Sequence, residues 1–239
     1  MLFKKVIRKL ASGLNIFLCE KRLEGLVLNF DRKYGYSNTK LTQKPVDANH
    51  EPLPWFTYPA IEYLSQLDLS KKSIFEWGSG NSSLFFAERS KQITSIESNR
   101  EWYSYVSQHL RSNQKIIFRE EADFVDSIDE LSTKFDVIII DSLWRYECAL
   151  KAISYLNKGG LIILDNSDWH PKTSALLRER SDLIEVDMHG FGPINEYSWT
   201  TSLYFHREFQ FLPKDGIQPI FSKAAIHQVS RYDEPVKLK

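Results

Sequence analysis

The sequence has little cysteine, no net charge and no long apolar run, and each absence excludes a class of protein. Its two cysteines, Cys19 and Cys148, fit neither a disulfide framework nor the spacing of a zinc site, so we expect a cytoplasmic protein. Its 31 basic and 31 acidic residues balance, which argues against a nucleic-acid partner held by bulk charge. No apolar run reaches the roughly 18 residues that a transmembrane segment needs. With 42% apolar and 26% charged residues, the chain has the composition of an ordinary globular protein.

The first residues combine basic and apolar side chains at helical spacing. Basic residues between positions 4 and 9 precede an apolar stretch, as in a signal peptide, but charged residues follow at positions 20–22 in place of a small-residue cleavage site. We therefore predict an amphipathic helix whose apolar stripe packs on the domain or on a second copy of the chain. A peripheral helix with its basic face on a membrane surface is the alternative. The stripe consists of Phe3, Val6, Ile7, Leu10, Leu14, Phe17 and Leu18.

From about residue 60 onward, strand and helix patterns alternate. Continuous apolar runs such as Val137–Ile140 are typical of parallel strands buried on both faces, so the alternation predicts an α/β fold with a doubly wound, mostly parallel sheet. The last two strand patterns have no helix between them, and we expect a hairpin that makes the final strand antiparallel. We also predict a helix from about Phe124 to Leu131 and another that Gly159 and Gly160 bring to an end. The predicted organisation is a helical extension over residues 1–50, a central domain over 51–210 and a tail over 211–239.

The segment from Phe75 to Ser83 is the most informative, because a strand there enters a glycine turn and a helix begins at once. Gly78 and Gly80 let the backbone approach a ligand, and the helix that follows offers unpaired N–H groups to a carboxylate. Glu76, just before the turn, is placed to orient a ligand ammonium group, directly or through the loop. Glu97 follows at the end of the second strand, where an acid can accept hydrogen bonds from ribose hydroxyls. The segment therefore predicts a nucleotide-like ligand rather than a structural turn between two surface glutamates.

The acid before the first glycine is the feature that decides among nucleotide-binding families. Ser83 stands where a dinucleotide fingerprint has its third glycine, and no Gly-Lys-Ser/Thr of a P-loop follows. Glu76 to Gly80, together with Glu97, resembles the motifs of class I S-adenosylmethionine-dependent methyltransferases. This resemblance runs from about Trp55 to His206 and implies a Rossmann-like sheet of seven strands and S-adenosylmethionine as cofactor. The cofactor-binding residues that it implies are Thr57, Glu76, Gly78, Gly80, Ser82, Glu97, Asp123 and Asp141.

Several of these assignments have a structural alternative. The resemblance places the adenine near Asp123, which could instead cap the helix predicted from Phe124. Arg145 could clamp an anionic substrate or cap its own helix, and His170 could be a general base or a solvated bystander. Asp141 ends the fourth strand at the carboxyl edge of the sheet, where ligands bind in such folds. The candidate catalytic residues are Asp141, Arg145 and His170.

The acids that end the fourth and fifth strands are also candidate metal ligands. Asp141, Asp165 and Asn166 resemble the metal-binding set of the catechol and caffeoyl-coenzyme A O-methyltransferases, and their oxygens would suit Mg²⁺. Such a metal would lower the pKa of a substrate hydroxyl. The residues after Asp141, Ser-Leu-Trp-Arg, depart from that family's pattern and weigh against the metal.

The function that the resemblance implies is methyl transfer from S-adenosylmethionine to a small-molecule or saccharide acceptor, at oxygen. The loop 190–197 is expected to shape the acceptor pocket, and the aromatic residues of segment 54–59 to cover the cofactor. An NAD(P)-dependent oxidoreductase is the first alternative, although Glu76 and Ser83 argue against it. A non-catalytic nucleotide-binding domain of the same fold is the second. A homodimer is also left open.

Overall fold

The computed structural model describes residues 2–230, with the side chains of residues 2–8 and 10–12 outside that description. Some side chains of the predicted apolar stripe therefore lie outside the described residues. The predicted tail lies outside them from residue 231 onward. The helices are α1 (Leu2–Tyr34), α2 (Tyr36–Thr42), α3 (Tyr58–Ser65), α4 (Asn81–Ala87), α5 (Arg100–Ser107), α6 (Glu121–Phe124), α7 (Arg145–Tyr155) and α8 (Pro171–Arg178). The strands are β1 (Ser73–Trp77), β2 (Gln92–Glu97), β3 (Gln114–Phe118), β4 (Phe135–Ile140), β5 (Leu156–Asp165), β6 (Leu183–Gly190) and β7 (Trp199–His206).

The strands form one seven-stranded sheet in the order β3-β2-β1-β4-β5-β7-β6. The first five strands are parallel, whereas β7 runs antiparallel to both β5 and β6. The predicted hairpin and antiparallel last strand are therefore confirmed, as is the doubly wound fold. The chain changes direction across the sheet between β1 and β4, and ligands bind at such a switch point in open α/β sheets. Trp77 pairs with Ile140, and Ile140 with Leu164, so β1, β4 and β5 end side by side at this point.

The sheet is buried on both faces, as its continuous apolar runs predict. On one face Ile139 and Ile163 pack with helices α3 and α4 in a cluster that excludes water. On the other face Ile138 and Ile162 pack with α7 and α8. Because both faces are covered, the polar side chains at the strand ends are the ones left to meet a ligand.

The helix predicted from Phe124 to Leu131 is wrong in its start and its type. Helix α6 begins at Glu121, and the segment Val125–Leu131 is a 3-10 helix. The residue that precedes the first helical turn is Glu120, which makes no side-chain cap, so the capping role considered for Asp123 is also wrong. Asp123 lies within α6 and is exposed.

The predicted role of Gly159 and Gly160 as a helix stop is wrong as well. Helix α7 ends at Tyr155, and both glycines lie inside β5, beside a register irregularity in its pairing with β4. Gly159 has a φ of +78°, which favours glycine. A Cβ on Gly160 would lie 2.7 Å from the backbone oxygen of Asp136, so this part of the ladder has no room for a side chain.

Helix α1 is attached to the domain near its C-terminal end. The rings of Phe30 and Tyr34 contact the ring of Tyr58, with centroids 5.5 and 4.6 Å away. Leu14 and Phe17 are 58% and 52% exposed, so the described part of the stripe does not pack on its own domain as predicted. Among residues 2–230, no helix has both the length and the apolar character needed to cross a membrane.

Candidate active site

Glu76 fixes the glycine turn from inside the protein. Its carboxylate is 1% exposed and accepts hydrogen bonds from the hydroxyls of Ser82 and Ser83, each at 2.5 Å, and from that of Ser95 at 2.7 Å. It therefore holds the first turn of α4 against β2. Glu76 could orient a ligand ammonium group directly or through the loop, and these contacts favour the role through the loop. Ser82, predicted to contact the cofactor, donates its hydroxyl to Glu76.

Replacement of Glu76 by glutamine should change how stability depends on pH. Burial raises the pKa of Glu76 from its ordinary 4.5 to about 7, against the opposing effect of the serine hydroxyls. Between pH 4.5 and about pH 7 the folded state keeps a proton on Glu76 that the unfolded state has released. The contribution of Glu76 to the free energy of unfolding therefore falls as pH rises, by about 3 kcal/mol. Between about pH 5 and about pH 8, wild type should therefore lose stability relative to Glu76→Gln, as measured by urea unfolding.

The exposed Glu101→Gln is the matched control for this experiment, because its side chain stands in solvent near the same site. It should keep the wild-type dependence on pH. If the stability of wild type, Glu76→Gln and Glu101→Gln changed with pH in the same way, the pH dependence would not come from Glu76.

Glu97 lies at the end of β2, where the sequence places a ribose-binding acid. One carboxylate oxygen accepts the backbone N–H groups of Ser98 and Asn99 at 2.9 and 2.8 Å, and the other accepts the Ser79 hydroxyl at 2.7 Å. A carboxylate has about four acceptor positions, so one remains for a ligand hydroxyl. Glu97 is 7% exposed and fixed in orientation by these donors. The arrangement fits a ribose at this position.

Trp102 is a site residue that the sequence analysis missed. Its indole N–H donates to the backbone oxygen of Ser79, and a Cβ on Gly80 would lie 3.4 Å from its ring. The ring also stacks on Tyr105 at 5.1 Å. The available signal was its position in the first turn of the helix that follows Glu97, since that turn faces the glycine loop.

The polar groups of Thr57 have partners within the protein. Thr57 is fully buried, its hydroxyl donates to the backbone oxygen of Met188 at 2.8 Å, and its amide donates to the Thr201 hydroxyl at 3.0 Å. Both polar groups therefore join the start of α3 to the β6–β7 hairpin, and this geometry does not support a contact with the cofactor carboxylate.

Arg145 joins the ends of β4 and β5. Its Nη2 donates to Oδ1 of Asp141 at 2.9 Å and to Oδ1 of Asn166 at 3.1 Å. Its Nε donates to the backbone oxygen of Asp165 at 3.2 Å, and Nη1 to that of Ser142. A guanidinium has five N–H donors, and four are used here. Arg145 is therefore a structural link with little left to clamp an anionic substrate.

Asp165 is held by β7, the antiparallel strand. It is 3% exposed, and its Oδ1 accepts the Trp199 indole N–H at 3.0 Å and the Thr201 hydroxyl at 2.6 Å. Burial, with the neighbouring Asp141 carboxylate, raises the pKa of Asp165 well above its ordinary value. The sequence analysis missed Trp199 and Thr201 because the contact depends on the pairing of β5 with a strand more than 30 residues away.

The predicted magnesium ligands do not fit a metal ion in this arrangement. The oxygens of Asp141 and Asn166 accept from the Arg145 guanidinium, which supplies the positive charge that a cation would bring. Asp165 directs one oxygen at neutral donors of β7. Within the described chain, no three His, Cys, Asp or Glu side chains come together as a metal site.

Two cavities meet at Trp169 beside this edge. The smaller, about 300 Å³, is lined by Trp55, Asp141, Asp165, Asn166, Trp169, Asn195 and Tyr197. Asn195 and Tyr197 of loop 190–197 line this cavity together with Trp55, whereas Phe56 is buried in the core.

The larger cavity, about 910 Å³, lies between α7 and α8 and includes Arg145 and His170. Burial and the Arg145 guanidinium lower the pKa of His170, so its ring is neutral at pH 7 and can accept a proton. His170 therefore faces the adjoining cavity, whereas Asp141 lines the smaller one.

Three residues around this edge have left-handed backbone conformations that are uncommon outside glycine. They are Trp144 and Ile194, with φ of 52° and 68°, and Asn166, with φ of 53°. Each costs of order 1 kcal/mol and persists only where the surroundings impose it, most often at functional sites. The shape of this edge is therefore fixed before any ligand binds.

Comparison with known proteins gives a similarity of fold. No protein-family model and no curated protein sequence matches the chain. Solved structures do match it, among them a protein assigned as a caffeoyl-CoA O-methyltransferase from Staphylococcus aureus, with 16% identity and a TM-score of 0.53 over 71% of this chain and 89% of that one. A protein assigned as an O-methyltransferase from Klebsiella pneumoniae has 18% identity and a TM-score of 0.52 over 74% and 89%.

A third match was solved with the demethylated cofactor product. It is an O-methyltransferase from Bacillus cereus in complex with S-adenosylhomocysteine, with 14% identity and a TM-score of 0.52 over 63% of this chain and 80% of that one. At 14–18% identity these matches show a shared fold. The chain therefore has the Rossmann-like fold of the class I S-adenosylmethionine-dependent methyltransferases.

Proposed function

We propose that the protein transfers a methyl group from S-adenosylmethionine to an oxygen of a small-molecule or saccharide acceptor. The observation that carries this proposal is the contact between the glycine turn and the acidic edge. A Cβ on Gly78 would lie 2.4 Å from the backbone oxygen of Asp141, whose side chain lines the smaller cavity. A cofactor on the turn and an acceptor in the cavity would therefore be neighbours, as direct transfer between them requires.

In this proposal the residues of the chain bind, orient and accept a proton, and S-adenosylmethionine supplies an activated methyl group. Glu97 would accept the ribose hydroxyls of the bound cofactor, and the N–H groups at the start of α4 would bind its carboxylate end. The bound cofactor would supply the methyl group, and S-adenosylhomocysteine would be the leaving group that keeps the electron pair of the carbon–sulfur bond. The hydroxyl proton would leave to a base, for which the candidates are Asp141, in the lining of the smaller cavity, and second His170, which faces the adjoining one.

Calorimetric titration with S-adenosylmethionine, S-adenosylhomocysteine and NADH tests the cofactor. We expect micromolar binding of the first two and no binding of NADH. Glu97→Ala should weaken S-adenosylhomocysteine binding by about 10- to 100-fold, because a hydrogen bond to a charged group contributes about 1.5–3 kcal/mol. Glu101→Ala, at an exposed position of α5, should bind as wild type does. Binding of NADH alone would refute the proposal, and binding of none would favour a non-catalytic domain.

A further inference from the structure

The two cavities beside Trp169 show which class of acceptor would fit, if the proposed function holds. Trp169 lines both of them, so the larger cavity lies next to the smaller one. The smaller, at about 300 Å³, is at the low end of the range for small-molecule sites, and the larger has about three times its volume, at 910 Å³. The pair therefore suits one ring at the reacting position and further units beside it.

Aromatic rings form the walls of the smaller cavity, and they are open to solvent. Trp55, Trp169 and Tyr197 are 43%, 57% and 49% exposed. The rings of Trp169 and Tyr197 lie 6.2 Å apart and are tilted by 33°. Exposed aromatic side chains gathered at one pocket mark a binding surface, because each ring gains from covering its apolar face. The C–H face of a sugar ring can pack on an aromatic face in this way.

The floor of the cavity is polar, and its charges are largely balanced. Asp141 is paired with Arg145, and one oxygen of Asp165 is bonded to Trp199 and Thr201. Asp141 and Asp165 line this cavity and Arg145 does not, so an anionic acceptor would meet two carboxyl groups, whereas a cationic one would find Asp141 already paired with Arg145. The amide of Asn195 adds neutral donor and acceptor atoms. The floor thus favours a neutral molecule rich in hydroxyl groups.

We infer that the acceptor is the terminal pyranose of a neutral saccharide. Its ring lies against the exposed aromatic rings of the smaller cavity, and the next sugar units lie in the larger cavity between α7 and α8. One hydroxyl of the terminal sugar receives the methyl group. Its oxygen–hydrogen bond breaks, the proton passes to the base and then to water, and S-adenosylhomocysteine is released.

Binding and transfer to a defined panel test this inference. The probes are methyl hexopyranosides, neutral di- to tetrasaccharides, catechol and phenethylamine, added to the protein saturated with S-adenosylhomocysteine and followed by saturation-transfer NMR. Transfer is followed with methyl-labelled S-adenosylmethionine. We expect at least one oligosaccharide to be methylated and to bind about tenfold tighter than its methyl monosaccharide. Methylation of catechol alone would overturn the inference and leave the proposed function standing, methylation of phenethylamine alone would also overturn transfer to oxygen, and failure to bind S-adenosylhomocysteine would overturn both.

Two variants separate the two cavities. Trp169→Ala should weaken binding of every saccharide by about tenfold, and Trp169→Phe should restore most of it, because the aromatic face returns. Ala175→Trp fills the larger cavity from α8 and should remove only the advantage of the longer saccharides. Phe221→Ala, at an exposed ring outside both cavities, is the control. Equal effects of Ala175→Trp on short and long saccharides would contradict the second subsite.

Discussion

Gly78→Ala should abolish detectable binding of S-adenosylhomocysteine, a loss of at least about 100-fold, because the turn cannot keep its shape with a side chain there. The residue has a φ of +104°, and its Cβ would lie 2.4 Å from the backbone oxygen of Asp141. Backbone on both sides must shift to relieve that contact, which moves the glycine turn away from β4. Calorimetric titration with S-adenosylhomocysteine measures the loss, and circular dichroism shows whether the sheet remains folded.

Gly216→Ala is the matched control for this variant. Gly216 also has a positive φ, +73°, but no other atom lies within 4 Å of its Cβ position. It therefore carries the conformational cost of alanine without the collision, and we expect it to lose about 1 kcal/mol of stability and no affinity. If Gly78→Ala bound S-adenosylhomocysteine as tightly as Gly216→Ala does, the turn would not be the cofactor site.

Sequence reasoning located the strands and the turn because their signals are local. A β-branched run such as Val137–Ile140 can be satisfied only by burial on both faces, and Gly78 and Glu97 follow strands that the pattern identifies. Since parallel strands end at one edge, the juxtaposition of Asp141 with Asp165 also followed from the order of elements.

The partners of these residues could not be predicted in the same way. Asp165 is held by Thr201 through the register of β5 and β7, and no local pattern encodes that register. For Glu76 the sequence left open a direct role and one through the loop, and the three hydroxyls that hold it come from two different elements. Predicted roles failed where one side chain had several chemically suitable partners and only the packing selected among them.

The link made by Arg145 has the largest consequences for the acidic edge. Arg145→Met keeps an apolar stem and removes the guanidinium, so Asp141 and Asn166 lose their shared donor. Both members of the ion pair are mostly buried, with side chains 14% and 27% exposed, and breaking such a pair costs about 3 kcal/mol. We expect that loss in urea unfolding, together with at least about a 100-fold loss of methyl transfer, because the floor of the cavity is no longer fixed.

Arg145→Lys should rescue little, since an ammonium group cannot reach the four oxygens that the planar guanidinium contacts. Arg180→Met, which breaks an exposed pair with Asp182, should cost less than about 1 kcal/mol and is the control. If the guanidinium serves in place of a cation, chelation should leave wild-type transfer unchanged. Millimolar Mg²⁺ should then raise the unfolding temperature of Arg145→Met and leave that of wild type unchanged, because only the variant has two acids without a counter-charge. Loss of wild-type transfer on chelation, regained with Mg²⁺, would show instead that a metal binds alongside the arginine.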